Sequence, residues 1–280
     1  MVCPSAKLEV DHITKKYPPM RKGVLGFRDF LDSLKGRRQQ IVALDDISFD
    51  VKPGEWFGLL GPNGAGKTTF CDLLLDITTP TSGHIRLDGR DVNREHGYTR
   101  GRVAAMMYWS WHDRVSLRDS LLLAGTEWAL THEEACRRMD FLVGLFDVRD
   151  KLDEWVVRLS GGTRMKLDLI ATLMSGAEVL VFDEPTARLD VLTRRRLYSQ
   201  LKEFQSHTNT TIIWTTHNLH EAQATCDRVA VINTRLLAVA RPQTLVEWTG
   251  KTDLEEAFIA LLDGCAPPDS DRPANKGDGV

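Results

Sequence analysis

Residues 61–68 fit the pattern G-x-x-x-x-G-K-[ST], which restricts the chain to folds that carry a phosphate-binding loop. The apolar run 56–60 precedes the loop and an apolar helical pattern over 70–75 follows it, which is the required order of strand, loop and helix. Glycines let backbone N–H groups point inward, and the helix N-terminus adds positive potential for phosphate. The segment predicts a nucleotide-phosphate site formed by Gly61, Pro62, Asn63, Gly64, Ala65, Gly66, Lys67, Thr68 and Thr69. In it Lys67 reaches the β- and γ-phosphates and the Thr68 hydroxyl holds Mg²⁺.

A second candidate element is the apolar strand 179–182, which runs directly into Asp183 and Glu184. Ligands of α/β folds bind at the carboxyl ends of the strands, where these acids would lie. We expect Asp183 to bind Mg²⁺ and Glu184 to polarise the water that attacks the γ-phosphate. An ordinary strand end with solvated acids is the alternative, and the phosphate loop favours the functional interpretation.

Further strand candidates alternate with helical patterns along the chain. The strand candidates cover 7–13, 47–51, 56–60, 179–182, 211–214 and 228–232. From about 102 to 158 the pattern becomes helical, and Thr131 opens an apolar stripe that extends to 148. Buried strands that alternate with helices predict an α/β fold with a mainly parallel sheet.

Composition narrows the class of protein. The 280 residues carry a net charge of −3, which offers no overall attraction to nucleic acid or anionic lipid. No apolar stretch approaches the ~18 to 20 residues that cross a bilayer, and the first residues lack the apolar core of a secretory signal. Five widely spaced cysteines without a C-x-x-C pair indicate reduced thiols. We therefore expect a cytosolic protein, with a disordered tail over the Pro- and Gly-containing residues 266–280.

Two more motifs complete a recognisable set. Residues 159–162 read Leu-Ser-Gly-Gly and open a helix over 163–174 ahead of Asp183 and Glu184, and His217 follows the strand 211–216. This order resembles the ATP-binding cassette ATPases over residues 7–262. The resemblance implies one nucleotide-binding domain over 1–265, a P-loop NTPase cassette. It would contain a mainly parallel core sheet, an N-terminal antiparallel β subdomain and a helical signature subdomain over about 102–165.

The resemblance also implies a dimer, homodimer or heterodimer, in which each ATP lies between two chains. Ser160, Gly161 and Gly162 would bind the ATP held by the partner's phosphate loop, which agrees with their position at a helix N-terminus. Hydrolysis would then release an ATP-dependent dimer.

Three single residues take roles by position in the family pattern. Tyr17 resembles the aromatic residue that stacks on adenine, with a half-exposed core tyrosine as the alternative. His217 resembles the residue that contacts the γ-phosphate, and Asp190 belongs to a loop that communicates between the two ATP sites.

Two features resemble exporter-type cassettes. One is the insertion after Tyr17, a basic stretch over 20–38 that we interpret as containing a short amphipathic helix, and the other is the closing segment 253–261. Because the chain has no span of its own, the resemblance implies a separate integral membrane permease. The chain would then be peripheral on the cytoplasmic face of the membrane.

The pattern departs from the family at three places. Residues 103–113 contain no glutamine where members carry one that touches Mg²⁺, and the position falls near Met107 to Ser110. Met107 lacks the oxygen ligand that Mg²⁺ prefers, whereas Ser110 has one. The aromatic group over 108–111 indicates a permease contact, with local packing as the alternative. Thr163 and Arg188 also replace a common glutamine and a small residue, so the rate and symmetry of hydrolysis are open, and a heterodimer is one consistent hypothesis.

Two other functions stay open as alternatives. The first is a non-transport cassette ATPase that acts on nucleic acid or ribosomes. Because such proteins carry two cassettes or coiled coils, a single cassette without heptads or basic charge argues against it, and no nucleic-acid partner is expected. The second is a regulatory subunit that holds ATP with low turnover, against which Glu184 and His217 argue.

Overall fold

The strands of the chain form two sheets. The structure is a computed structural model that describes residues 7–18, 40–106, 111–186 and 189–265. The strands are β1 (Leu8–Tyr17), β2 (Ile41–Val51), β3 (Trp56–Leu60), β4 (Ser82–Leu87), β5 (Arg90–Asp91), β6 (Val103–Ala105), β7 (Val179–Asp183), β8 (Thr211–Thr216), β9 (Arg228–Asn233) and β10 (Arg235–Ala240). An antiparallel sheet has the order β2-β1-β4-β5, and a second sheet has the order β10-β9-β3-β8-β7-β6.

The antiparallel sheet carries the alternation predicted near the N-terminus. Leu8, Val10 and Ile13 are buried, and Leu8 pairs with Val51 on one side and with Leu87 on the other. A register shift follows Val10, where His12 has a φ of 51°. The predicted N-terminal antiparallel sheet is confirmed, and β1 extends four residues beyond the predicted end because its partner β2 also continues.

The second sheet is the core sheet and is mainly parallel, as predicted. Strand β3 lies between β8 and β9, β8 pairs with β7, and β7 pairs with β6, all in parallel register. Only β10 runs antiparallel, against β9. Every residue of β3 and β8 is buried, which explains why these strands are continuous apolar or Thr-rich runs rather than alternating ones.

Eight α-helices lie within the described residues. They are α1 (Lys67–Leu74), α2 (Leu117–Glu127), α3 (His132–Leu145), α4 (Gly161–Leu173), α5 (Val191–Thr208), α6 (Leu219–Thr225), α7 (Pro242–Thr249) and α8 (Leu254–Leu262). The predicted start at Thr131 is confirmed, since its side chain accepts a hydrogen bond from the backbone N–H of Glu134 at 3.2 Å. Ser160 caps α4 in the same way through the N–H of Thr163.

The two faces of the core sheet bury separate apolar cores. One core contains α1 residues such as Phe70 and Leu74 with the antiparallel sheet, so that α1 lies between the two sheets. The other core joins the opposite face of the core sheet to α2, α3, α4 and α5 and contains Trp56, Phe182 and Trp214. The carboxyl ends of β3, β7 and β8 therefore lie beside the N-terminus of α1.

Several elements differ from the sequence prediction or were not predicted. The stretch predicted as helical from about 102 begins with β6, which pairs with β7 in the core sheet, and the helices α2 and α3 start later. Strand β5 was missed because it has two residues, β4 because it mixes polar and apolar residues, and β10 because it is an edge strand close behind β9. The predicted insertion helix, Met107 to Ser110, Arg188 and the predicted disordered tail 266–280 lie outside the described residues. In the parts of the chain that the structure describes, no helix has the length and apolarity to cross a bilayer.

Candidate active site

The predicted phosphate loop connects the end of β3 to the start of α1. Gly66 has a φ of +102°, and a Cβ at this position would lie 2.5 Å from the backbone oxygen of Ala43, so only glycine fits. The Lys67 side chain is 6% exposed, and its Nζ donates hydrogen bonds to the backbone oxygens of Gly61 at 2.8 Å and Pro62 at 3.2 Å. The loop thus wraps around the ammonium group of Lys67 at the helix N-terminus.

A cleft of about 480 Å³ opens in front of this loop. Its lining consists of Ala43, Asn63, Gly64, Ala65, Gly66, Lys67, Thr68, Thr69, Asp183 and Glu184. Most of the residues that the sequence indicated for phosphate and metal therefore surround one space. Another cavity, of about 420 Å³, lies near Arg138, Phe141 and Glu178 at the opposite end of β7, and it contains none of the predicted site residues.

Three oxygen-bearing side chains meet at one edge of the cleft. The Thr68 hydroxyl donates to Oδ2 of Asp183 at 2.8 Å, and the Thr215 hydroxyl donates to Oδ1 of the same carboxylate. Thr68 and Asp183 are exposed to the cleft. A hydroxyl and a carboxylate held this close are the hard oxygen donors that suit Mg²⁺, which takes few protein ligands and keeps water and phosphate as the rest.

The next residue, Glu184, lies between two basic side chains. Its Oε1 is 3.1 Å from Nδ1 of His217 and 3.6 Å from Nζ of Lys67. Glu184 has a φ of 49°, a backbone conformation that costs energy for a residue with a side chain. Its N–H donates to the backbone oxygen of Thr215 at 3.1 Å and faces the Thr215 hydroxyl at 3.2 Å, which holds this conformation. The arrangement presents a carboxylate to the cleft with the Lys67 ammonium group and the His217 ring beside it.

Burial and the negative charge of Asp183 raise the pKa of two side chains in α1, the helix that follows the phosphate loop. Burial raises the pKa of the Cys71 thiol well above its ordinary value, and the Asp183 carboxylate adds to the effect. The pKa of Asp72 is raised for the same two reasons, burial first. Cys71 therefore remains a protonated thiol that packs in the core.

The predicted signature residues lie outside the lining of the cleft. Ser160 is the N-cap of α4, and its hydroxyl is 2.9 Å from the hydroxyl of Thr163. A Cβ on Gly161 or Gly162 would meet no atom within 4 Å, so these glycines border open space. Among the described residues, packing gives no reason for glycine at either position.

The remaining predicted residues occupy separate positions. Tyr17 ends β1 opposite Ile41 and is half-buried, and the Nζ of Lys15 lies 4.9 Å from the centre of its ring. Asp190 caps α5 by accepting from the N–H groups of Leu192 and Thr193, both at 3.0 Å. Hydrogen bonds from Thr193 lower the pKa of Asp190, so the capping carboxylate stays ionised.

Two residues at the site were missed by sequence reasoning. Thr215 binds both Asp183 and the backbone of Glu184, and Ala43 lines the cleft from β2. Thr215 is visible in the sequence only as part of a Thr pair before His217, and its partner is set by the parallel pairing of Asp183 with Thr215. Ala43 has a methyl side chain without a functional group, so nothing in the sequence marks it as a site residue.

Similarity to known proteins agrees with this geometry. The profile of the ABC transporter family matches residues 44–187. The Nod factor export ATP-binding protein I of Paraburkholderia xenovorans (strain LB400) is 35% identical over 242 residues, which cover 84% of this chain and 79% of that protein.

Two solved structures share the fold. The first, cbiO1 from Clostridium perfringens, described as part of the ABC transporter complex cbiONQ, superposes with a TM-score of 0.72 at 22% identity, covering 86% of this chain and 91% of that one. The second, a dimeric post-hydrolysis state of the ATP-binding cassette MJ0796 bound to ADP and Pi, superposes with a TM-score of 0.67 at 18% identity, covering 84% of this chain and 98% of that one. On the family match and the sequence relatives, this chain belongs to the ABC transporter family as the ATP-binding subunit of a transporter, and it is an ATPase.

Proposed function

We propose that the chain hydrolyses ATP for an exporter, energising a separate integral membrane permease through ATP-dependent closure of a dimer. The observation that carries the proposal is the convergence of Lys67, Asp183 and Glu184 around one cleft, with His217 beside Glu184. Glu184 lies within 3.6 Å of both basic side chains. This arrangement supports hydrolysis rather than nucleotide storage, because a base, a histidine partner and a phosphate-binding lysine are all present.

In the proposed reaction Lys67 and the backbone N–H groups of residues 63–69 bind the phosphates of ATP. Glu184 orients and polarises the attacking water, while His217 donates a hydrogen bond toward the γ-phosphate. Thr68 and Asp183 would hold Mg²⁺ through their oxygens. Bound Mg²⁺ supplies a Lewis acid that offsets the charge on the transferred phosphoryl group.

The signature residues support the proposed dimer. Gly161 and Gly162 border open space at the N-terminus of a helix of 13 residues, so the absence of side chains suits an approach from outside the chain. Backbone N–H groups at a helix start attract anions. We propose that Ser160, Gly161 and Gly162 contact the ATP of a second cassette, either another copy of this chain or a related subunit, and that Tyr17 stacks on the adenine of the first.

Two contacts connect the signature helix to the segment that follows the missing glutamine. Nε1 of Trp111 donates to Oδ1 of Asp168 at 2.6 Å, and Arg164 donates to Asp113 at 2.9 Å. Asp168 and Arg164 both belong to α4. These contacts pack Trp111 against its own chain, which favours local packing for that residue. We propose that movement of this segment, when a permease contacts it, reaches the signature residues through α4.

Similarity supports the proposed export direction and membrane partner. The Paraburkholderia relative is named for Nod factor export, and cbiO1 is described as part of a transporter complex. We therefore propose a location on the cytoplasmic face of the membrane, in a complex with a permease. The permease determines the exported compound.

The experiment that tests the proposal is the steady-state ATPase rate of the purified chain with Mg²⁺ over a protein dilution series, with Glu184→Gln as the blank. We expect the specific activity to rise with protein concentration, since dimer formation completes each site. Activity equal to the blank at every concentration, with ATP still bound, would contradict a self-sufficient homodimer and require a partner subunit. Copurification with ribosomes instead of membranes would contradict the transport function.

A further inference from the structure

A buried carboxylate lies behind the candidate active site and takes no part in the proposed chemistry. Glu221 belongs to α6 and is only 5% exposed. Its Oε1 accepts hydrogen bonds from Oγ1 of Thr186 at 2.8 Å, Nη1 of Arg194 at 3.1 Å and Nδ2 of Asn218 at 3.3 Å. Its Oε2 accepts from Oγ1 of Thr216 at 3.0 Å. Four hydrogen-bond donors therefore converge on one buried carboxylate. Loss of that carboxylate would leave donors unpaired in the protein interior, which is destabilising.

Three of the four donors flank Glu184 or His217 along the chain, and the fourth, Arg194, lies in α5. Thr186 follows Glu184 after a single proline, Pro185, which fixes one backbone dihedral between them. Thr216 directly precedes His217, and its hydroxyl also accepts from the N–H of Asn218 at 2.9 Å. Both Thr186 and Thr216 are at most 3% exposed. One carboxylate therefore binds the loop after β7 and the loop after β8 at the same time.

Arg194 extends this connection to the residue that precedes Asp190. Its Nε donates to the backbone oxygen of Leu189 at 3.1 Å, while its Nη1 pairs with Glu221. The N–H of Leu189 in turn donates to the backbone oxygen of Thr186 at 3.0 Å. Glu221 and Arg194 thus hold both ends of the loop between β7 and α5.

We infer that Glu221 is a positioning residue, which sets the distance between Glu184 and His217 by binding the loop that carries each of them. The inference rests on the proposed function, because it assumes that Glu184 and His217 act together in hydrolysis. The Glu221 carboxylate accepts hydrogen bonds from Thr186, Arg194, Thr216 and Asn218. No hydrogen bond between this carboxylate and the phosphate loop is present among the described residues. Loss of the carboxylate should therefore affect turnover and leave nucleotide binding nearly unchanged.

The test compares Glu221→Gln with the wild-type chain. Glutamine keeps the shape and one acceptor oxygen but loses the charge that pairs with Arg194 and offers an N–H₂ group to Thr216. We expect kcat for ATP to fall about 10- to 100-fold, the effect of a small misplacement of reacting groups, with KM for ATP changed less than about threefold. Thr186→Val is the second variant, since it removes only the donor from the loop of Glu184 and is expected to lower kcat in the same direction.

A double-mutant cycle separates positioning from a general loss of stability. If Glu221 acts through His217, then Glu221→Gln should change kcat little in a His217→Ala background, because the two changes remove the same interaction. Gln223→Ala is the matched control, on the exposed side of the same helix α6, and should leave kcat and the melting temperature unchanged. Equal kcat for Glu221→Gln and wild type would overturn the inference, as would full additivity with His217→Ala.

A spectroscopic readout covers the case in which turnover requires a partner subunit. In the chain labelled at histidine and bound to a non-hydrolysable ATP analogue, the His217 ring signal is assigned by its loss in His217→Ala. We expect Glu221→Gln to shift or broaden that signal and Gln223→Ala to leave it in place, whereas an unmoved signal in Glu221→Gln would overturn the inference. Loss of turnover in Glu184→Gln and His217→Ala with none in Glu221→Gln would refute the positioning role alone. Full turnover in Glu184→Gln would refute the proposed function itself.

Discussion

Nδ1 of His217 lies 3.1 Å from Oε1 of Glu184, although the two residues follow different strands of the core sheet. Strands β7 and β8 are parallel neighbours in which Asp183 pairs with Thr215. The residues after each strand therefore leave the sheet side by side, at the edge where the phosphate loop also ends. The proximity of the proposed base and its histidine partner is thus a consequence of sheet register.

Replacing Glu184 by glutamine is expected to stop hydrolysis while leaving ATP bound. The amide keeps the size of the side chain but cannot polarise water as a carboxylate does, so kcat should fall by about 10²-fold or more. ATP should then accumulate in a trapped dimer, which sedimentation velocity can measure. Glu203→Gln, on an exposed position of α5, is the control. Retained full turnover in Glu184→Gln would rule out the proposed role of the carboxylate.

Replacing Lys67 by alanine is expected to weaken nucleotide binding at least about tenfold, because a buried ammonium group at the phosphate loop is lost. Nζ of Lys67 also binds the backbone oxygens of Gly61 and Pro62, so the loop loses internal hydrogen bonds as well. Titration with a fluorescent ATP analogue measures the affinity, with circular dichroism to check folding. Lys251→Ala, at an exposed position, should bind normally, and unchanged affinity in Lys67→Ala would contradict the assignment.

Asp183→Asn is expected to raise the Mg²⁺ concentration for half-maximal ATPase about tenfold or more. The amide is neutral and gives one side of the group to an N–H₂, which repels both Mg²⁺ and the Thr68 and Thr215 hydroxyl protons. The measurement is ATPase rate against free Mg²⁺ at fixed ATP. Asp263→Asn, near the end of α8 and exposed, serves as control. An unchanged Mg²⁺ dependence in Asp183→Asn would show that the metal binds elsewhere.

Two Gly→Ala substitutions should act in different ways. Gly161→Ala adds a methyl group into open space in a helix, so the melting temperature should be retained while ATP-dependent dimerisation weakens. Gly66→Ala forces a Cβ to 2.5 Å from the Ala43 oxygen at a φ of +102°, so it should lose both stability and ATP binding. Sedimentation in a Glu184→Gln background measures the dimer. A Gly161→Ala chain that dimerises as well as the parent would exclude contact at this position.

The stability of the protein should vary with pH through the carboxylate of Glu178, which connects the two sheets. Lys7 and Arg102 both pair with its carboxylate, and the hydrogen bond from Arg102, with Lys7 next, lowers the pKa of Glu178 from 4.5 to about 2. A lowered folded-state pKa means that the stabilisation is present above about pH 4.5 and is lost as the pH falls toward 2.

The corresponding variant is Glu178→Gln. It should lower the free energy of unfolding at pH 7 by about 1 kcal/mol, a value reduced for the half-exposed carboxylate. The difference from wild type should disappear near pH 2. Urea unfolding at several pH values measures it, with Glu127→Gln at an exposed position as control. A difference that stays constant between pH 7 and pH 3 would contradict the ionic origin of the effect.

The amino-acid pattern was enough to predict the phosphate loop, the buried parallel strands and the acids at a strand end, because these features depend on residues that are close along the chain. Residues 61–68 need their glycines for backbone geometry, and Asp183 and Glu184 stand next to an apolar run. The capping residue Thr131 is equally local. Strands β4, β5, β6 and β10 were not predicted, since their extended form depends on pairing with neighbouring strands, which local patterns do not reveal.

Tertiary structure alone decided which distant residues meet. Thr215 was unremarkable in the sequence, and parallel pairing places its hydroxyl against Asp183. In the sequence Glu221 cannot be told from an ordinary helical glutamate. In the fold it is buried and binds Thr186, Arg194 and Thr216, and so connects the segment after Glu184 to the segment before His217. Such contacts join residues that lie far apart along the chain, and their strength depends on burial. Hydrophobic patterns predict which apolar side chains are buried, but they do not predict the burial of a charged side chain.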